Sequence, residues 1–181
     1  STDDTKKNED FSEKKIAELV RACFEMGKVK TGALIVIERG TPLGEIERTG
    51  IEVDGIVTSQ LLINIFEHNT PLHDGAVVIR GNRVTAATCY LPLSDNMDIS
   101  KALGTRHRAA VGVSEATDSV TLVVSEETGR VSVAVSGRLK SVKDGDELRD
   151  MLSVLVKRET ENTGRFRIWK GRRRNERKAD E

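Results

Sequence analysis

Pro71-Leu-His-Asp-Gly-Ala-Val-Val-Ile-Arg-Gly-Asn-Arg-Val-Thr-Ala-Ala-Thr-Cys-Tyr90 holds two strand patterns and the turn that joins them. Ala76–Ile79 is a short apolar run, and Arg83–Tyr90 is a second strand-like run. Between them stands Arg80-Gly81-Asn82, whose Gly-Asn centre marks a tight hairpin and therefore an antiparallel pair. Upstream, Ser59 is placed to cap a short helix, Gln60–Glu67, with Leu61, Leu62, Ile65 and Phe66 inward. Before that, Ala33–Glu38 is a continuous apolar run between Gly32 and Gly40, the pattern of a strand buried on both faces. A further strand-like segment covers Ile51–Val57.

At the N-terminal side, Asp10 with Glu13 forms a capping box, and Ile16, Leu19, Val20, Cys23 and Phe24 recur at helical spacing until Gly27. Downstream, residues 91–103 read as a loop, and Thr105 is placed to cap a helix through about Ser114. Val120–Val124 and Val131–Val135 form a second hairpin around Ser125-Glu-Glu-Thr-Gly129. Asp144–Arg158 is an amphipathic helix with Leu148, Met151, Leu152, Leu155 and Val156 inward. Helices alternating with strands, some in hairpins, predict an α/β fold with a mixed central β-sheet flanked by helices. The expected organisation is a disordered N-terminal segment at 1–9, one domain at 10–158, and a basic, flexible tail at 159–181.

Of the 181 residues, 37% are hydrophobic and 32% charged, which is a globular composition. Lys plus Arg equals Asp plus Glu at 29 each, so there is no basic excess of the kind a nucleic-acid-binding domain carries. Four Phe, one Tyr and one Trp are too few for a base-stacking surface. No apolar stretch approaches the roughly 20 residues of a membrane helix, and the opening STDDTKKNED is no signal peptide. The chain reads as soluble. Cys23 and Cys89 have neither a CxxC nor zinc-ligand spacing and read as buried, reduced thiols. The basic cluster at Arg165–Arg174 is either a solvated tail or a contact for anionic lipid or an acidic partner.

Two segments exceed what packing requires. In Pro71-Leu-His-Asp-Gly-Ala76 a carboxylate stands at a loop-to-strand junction, and Gly75 and Ala76 let a ligand approach the backbone. His73 beside Asp74 makes an imidazole–carboxylate pair that can take a divalent cation; the plain alternative is a turn. In Gly104-Thr-Arg-His-Arg-Ala-Ala110 a helix start offers free N–H groups to an anion. Arg106 and Arg108 in that first turn oppose the helix dipole, which makes sense if a polyphosphate is bound there. The competing reading is a pair of solvated arginines. There is no GxxxxGK[ST], GxGxxG, GxSxG or HExxH, so a polyphosphate needs another arrangement.

His73-Asp-Gly-Ala76 and Thr105-Arg-His-Arg108 resemble the paired DGA and RHR motifs of the diadenylate cyclase (DAC) domain. Gly32-Ala-Leu-Ile-Val-Ile-Glu38, Leu61-Leu-Ile-Asn-Ile-Phe66 and Val123-Val-Ser-Glu-Glu-Thr-Gly129 match that domain in order and spacing, so the likeness spans roughly residues 10–155. It is nearest the membrane-anchored CdaA/DacA type, in which transmembrane helices precede the cyclase. The chain is therefore expected to be an excised catalytic part of a protein at the cytoplasmic face of the cell membrane, attached only through those N-terminal helices.

The resemblance implies condensation of two ATP into cyclic di-AMP with release of two pyrophosphates, a metal-dependent nucleotidyltransferase reaction. It implies Asp74, Arg106 and Arg108 as catalytic residues. Nucleotide contacts fall on Gly75, Ala76, Tyr90, Leu91, Gly104, Thr105, Arg106, His107, Arg108, Ser125 and Glu127. His73, Asp74 and Glu127 are the implied ligands of a Mn2+, Mg2+ or Co2+ ion. Tyr90 is either a wall of the adenine pocket or a core aromatic. Two nucleotides joined by two equivalent bonds imply a transient face-to-face homodimer. Regulatory protein partners are left unspecified. The competing function is a module that binds ATP or a cyclic dinucleotide without turnover.

Overall fold

The computed structural model describes residues 2–155, with side chains from Ser12 onward. Val156–Arg158 and the tail at 159–181 lie outside the described residues. In chain order the elements are α1 (Thr2–Lys28), β1 (Ala33–Ile37), α2 (Gly44–Glu47), β2 (Ile51–Ile56), α3 (Ser59–Phe66) and β3 (Ala76–Arg80). There follow β4 (Arg83–Cys89), α4 (Thr105–Ala116), β5 (Val120–Val124), β6 (Val131–Val135), β7 (Arg138–Ser141) and α5 (145–155).

Seven strands form one sheet in the order β2-β4-β3-β1-β5-β6-β7. Only β1 and β3 are parallel, in the register Ile35↔Val77; every other neighbour pair is antiparallel. The sheet is mixed, as its hairpins predict. All five residues of β1 are buried because both faces of the sheet are covered. Ala33, Ile35 and Ile37 pack with Leu19 and Cys23 of α1, Leu62 and Phe66 of α3, and Leu148 and Leu152 of α5. Leu34 and Val36 point the other way, toward Ala109, Ala110 and Val113 of α4. Small residues on α4 let that helix approach the sheet closely.

Several boundaries differ from the sequence reading. The first helix starts at Thr2 rather than Asp10, so it overlaps the segment expected to be disordered; no Gly or Pro interrupts the chain from Thr2 to Met26. The cap of α3 is Thr58, whose hydroxyl accepts from Leu61 N, and Ser59 is the first helical residue. Ser59 N instead donates to Glu18 of α1 at 2.5 Å, which ties the two helices together. The turn at Ser136 and Gly137, with φ of 51° and 77°, folds β7 back onto β6 as a third hairpin that the sequence reading did not anticipate.

Candidate active site

The topology brings the two motif segments to the same end of the sheet. Ala33 pairs with Val124, and Ala76 pairs with Cys89. The chain entering β1 and β3 therefore meets the chain leaving β5 and β4. A cleft of about 1020 Å³ opens there, walled by Lys30–Gly32, Phe66–His68, His73–Gly75, Cys89–Leu91 with Leu93, the start of α4, and Glu126. It lies at the amino ends of the two parallel strands, whereas open α/β nucleotide-binding folds use the carboxyl ends.

The His73–Asp74 pair is built outward from α3. The Thr70 hydroxyl reaches the carbonyls of Ile65 and Glu67 at 3.0 and 2.9 Å, closing the end of that helix. The Thr70 carbonyl then accepts from His73 Nδ1 at 2.6 Å. A carbonyl can only accept, so Nδ1 carries the proton and Nε2 is the nitrogen directed at Asp74 Oδ1, 3.5 Å away. The His73 ring is mostly covered, while the Asp74 side chain is 88% exposed to the cleft and its mouth.

Gly75 follows with φ +82°, and a Cβ there would come within 3 Å of the Thr88 and Cys89 backbone, so only glycine fits. Thr88 itself holds φ +55°, an outlier for a β-branched residue. It sits where the β3–β4 register shifts, and this bulge turns Cys89 and Tyr90 toward the cleft. Tyr90 is 77% exposed and lines the cleft, so it is not a core aromatic. Ala76, by contrast, is fully buried on the α4 side of the sheet and presents no side chain to the cleft.

At the start of α4 the N-cap is Gly104, not Thr105, and no side chain caps the helix. Its first turn holds no acidic residue. That combination leaves an N-terminus with partial positive charge and open N–H groups. Arg106 lines the main cleft together with Thr105 and Ala109. It also lines a second cavity of about 440 Å³ with Gly104, His107, Ser125 and Glu127. Arg108 lines neither cavity, because two residues along a helix point to different sides. His107 is buried, and burial followed by the Arg106 charge holds its imidazole below the ordinary 6.5, with Glu127 pulling the other way. Ser125 Oγ accepts from Glu127 N and Thr128 N at 3.2 Å each, so it shapes the β5–β6 turn and keeps its own proton to donate.

The structure thus joins His73, Asp74, Gly75, Tyr90, Leu91, Thr105 and Arg106 in one cleft. Ser125 and Glu127 stand in the adjoining cavity, and among the described residues no three His, Cys, Asp or Glu side chains gather as a metal cluster. Glu127 therefore does not complete the His73–Asp74 pair within this chain. Sequence reasoning missed Glu126, which lines both cavities and whose Oε2 lies 3.3 Å from Arg106 Nη1. Its signal was adjacency to Glu127 in the Ser-Glu-Glu-Thr-Gly turn. Both cysteines are buried, free thiols, as expected; burial pushes Cys23 up to about 12 and Cys89 up to about 11.

Comparison with known proteins bears on this cleft directly. Residues 20–139 match the family described as DAC: DisA bacterial checkpoint controller nucleotide-binding. The chain belongs to the DAC family. It is 50% identical over 166 residues to the cyclic di-AMP synthase CdaA of Bacillus subtilis (strain 168), covering 91% of this chain and 61% of that relative. A diadenylate cyclase of Listeria monocytogenes serotype 1/2a (strain 10403S) is 50% identical over 147 residues, 81% of this chain and 54% of that relative. The DAC chain here thus spans less than two thirds of the length of these curated relatives. The crystal structure of DacA from Staphylococcus aureus, a double cysteine mutant, superposes with a TM-score of 0.75 at 44% identity, covering 84% of this chain and 97% of that one. The α/β fold is that of the DAC domain. Among the described residues, no helix is long and apolar enough to cross a membrane.

Proposed function

We propose that residues 10–158 form a diadenylate cyclase domain that condenses two ATP into cyclic di-AMP and two pyrophosphates. The observation that carries this is the cleft itself. It puts the exposed Asp74 carboxylate and the mostly covered His73 imidazole in one cleft with an uncapped helix N-terminus bearing Arg106. The first arrangement suits a hydroxyl nucleophile and the second a departing polyphosphate, and the relatives are named for this chemistry.

The residues present fit a divalent cation. His73 Nε2 and Asp74 Oδ1 are both lone-pair donors, 3.5 Å apart, and the Thr70 carbonyl fixes the ring that would ligate. His73 and Asp74 would hold the ion, and phosphate oxygens and water would complete its shell, as Mg2+ and Mn2+ prefer. When bound, it supplies positive charge that lowers the proton affinity of a nearby ribose hydroxyl.

The chain's own residues do the remainder. Asp74 orients the 3′-hydroxyl of one ATP and takes its proton as the oxygen bonds to the α-phosphorus of the other ATP. The bond from that phosphorus to the bridging oxygen breaks, and pyrophosphate carries the charge away. Arg106 and the open N–H groups of α4 bind the phosphates as that charge grows. Thr105, His107, Ser125 and Glu127 shape the adjoining pocket, and Tyr90 with Leu91 forms the apolar wall for adenine. Two such clefts facing across a twofold axis bring the nucleotides together antiparallel, so each hydroxyl reaches the other's α-phosphate. The 88% exposure of Asp74 suits a group that works on a nucleotide held by the opposing copy. Arg108, directed away from its own cleft, acts from the helix flank in that pair.

Incubation with ATP and Mn2+, Mg2+ or Co2+, followed by mass spectrometry, tests the reading. Cyclic di-AMP should accumulate with two equivalents of pyrophosphate; ATP bound and left unconverted with all three ions would place the chain among non-catalytic binding modules.

A further inference from the structure

Arg106 is seated on a residue outside both motifs. A Cβ built on Gly32 would lie 2.6 Å from Cζ and from Nη1 of Arg106, and 3.0 Å from Nη2; these are the three nearest heavy atoms. Near-equal distances to three guanidinium atoms mean that the planar group lies across the Gly32 α-carbon. The glycine is not demanded by the backbone, because Gly32 is not among the residues with positive φ. Space demands it. One edge of the same guanidinium meets Glu126, with Nη1 3.3 Å from Oε2. Both contacts follow from sheet register: Gly32 immediately precedes Ala33, Ala33 pairs with Val124, and Glu126 comes two residues later.

We propose that Gly32 is a positioning residue, whose missing side chain forms the seat that holds the Arg106 guanidinium at the phosphate site while Glu126 fixes its rotation. This rests on the reading of Arg106 as a phosphate ligand. A Cβ at Gly32 forces the guanidinium to retreat by about 1 Å to reach ordinary contact distance. A shift of that size at a binding group costs roughly 10–100-fold. The fold is spared, because the obstacle is the far end of a flexible side chain and not backbone.

The test measures the affinity of 3′-deoxy-ATP with Mn2+ by calorimetry. This nucleotide lacks the attacking hydroxyl and cannot be turned over. The proteins are wild type, Gly32→Ala, Arg106→Ala and the double variant, each also melted. Gly32→Ala should melt within about 2 °C of wild type and bind roughly 10–100-fold more weakly. In the Arg106→Ala background the same change should cost nothing further, since truncation of the arginine leaves the space open. Weak binding by Arg106→Ala with full affinity in Gly32→Ala overturns the seat alone, as does an equal loss of affinity or of folding from Gly32→Ala in both backgrounds. Full affinity in Arg106→Ala overturns the phosphate reading and the seat with it.

Discussion

Arg106→Ala is the substitution whose effect the structure defines most closely. Its guanidinium has one face on Gly32 and one edge toward Glu126, and its side chain is 25% exposed, so the remaining N–H groups are free to bind a phosphate in the cleft. Losing a donor preorganised toward growing charge costs about 3–4 kcal/mol, or roughly 10²–10³ in kcat/KM. Little of that loss can come from Glu126, which is 65% exposed and is resolvated when its partner goes. Arg106→Lys should recover little, because an ammonium cannot reproduce the two-point fork. Arg108→Ala should leave the affinity of 3′-deoxy-ATP within about threefold of wild type, since Arg108 lines neither cavity. The assay is steady-state pyrophosphate release, with analogue affinity measured in parallel. Arg106→Ala turning over at the wild-type rate with unchanged affinity would refute the assignment of the α4 start as the phosphate site.

Burial, helped by the Arg106 charge, lowers the proton affinity of His107 in the folded chain, whereas the unfolded chain takes up a proton near the ordinary 6.5. The unfolded state thus binds more protons below that value, so stability from this group is complete above about pH 6.5 and falls as the pH drops further. Urea midpoints between about pH 7.5 and 5 should decline more steeply for wild type than for His107→Gln; parallel slopes would contradict it. Ile35→Ala removes a fully buried side chain at the centre of the sheet and should cost about 2–5 kcal/mol in chemical denaturation, with a loss under 1 kcal/mol (about the size of a surface change) as the contrary result. Specific activity should rise with protein concentration through the dimerisation range; a flat profile from a protein that sediments as a monomer throughout excludes facing clefts.

Much of the architecture was legible because local signals agreed with the global fold. The Gly81-Asn82 turn, the Ser125–Gly129 turn and the unbroken apolar run at Ala33–Ile37 each appear where their residue types require. Helix starts were less legible, since Thr58 and Ser59 are both capping residue types and only the folded chain shows the Thr58 hydroxyl accepting from Leu61 N while Glu18 takes Ser59 N. The β7 strand escaped notice because Arg138–Ser141 is short, charged and at the sheet edge, as edge strands are. Within the site, His73, Asp74 and Arg106 carry chemistry in their side chains and could be picked out in one dimension. Gly32 could not, and Glu126 only through its place beside Glu127, because their contacts with Arg106 exist only once β1 pairs with β5. The same limit applies to Arg108, which spacing groups with Arg106 and the helix turns away from it.

The central claim is that this cleft joins two ATP through a hydroxyl activated at Asp74. The most direct measurement is the mass spectrum of the products from wild type and Asp74→Asn, each with ATP and Mn2+, alongside calorimetry of 3′-deoxy-ATP binding. Wild type should yield cyclic di-AMP, and Asp74→Asn should yield almost none while still binding the analogue, because the amide keeps the shape and loses the charge. Cyclic di-AMP formed at comparable rates by both proteins would contradict the account.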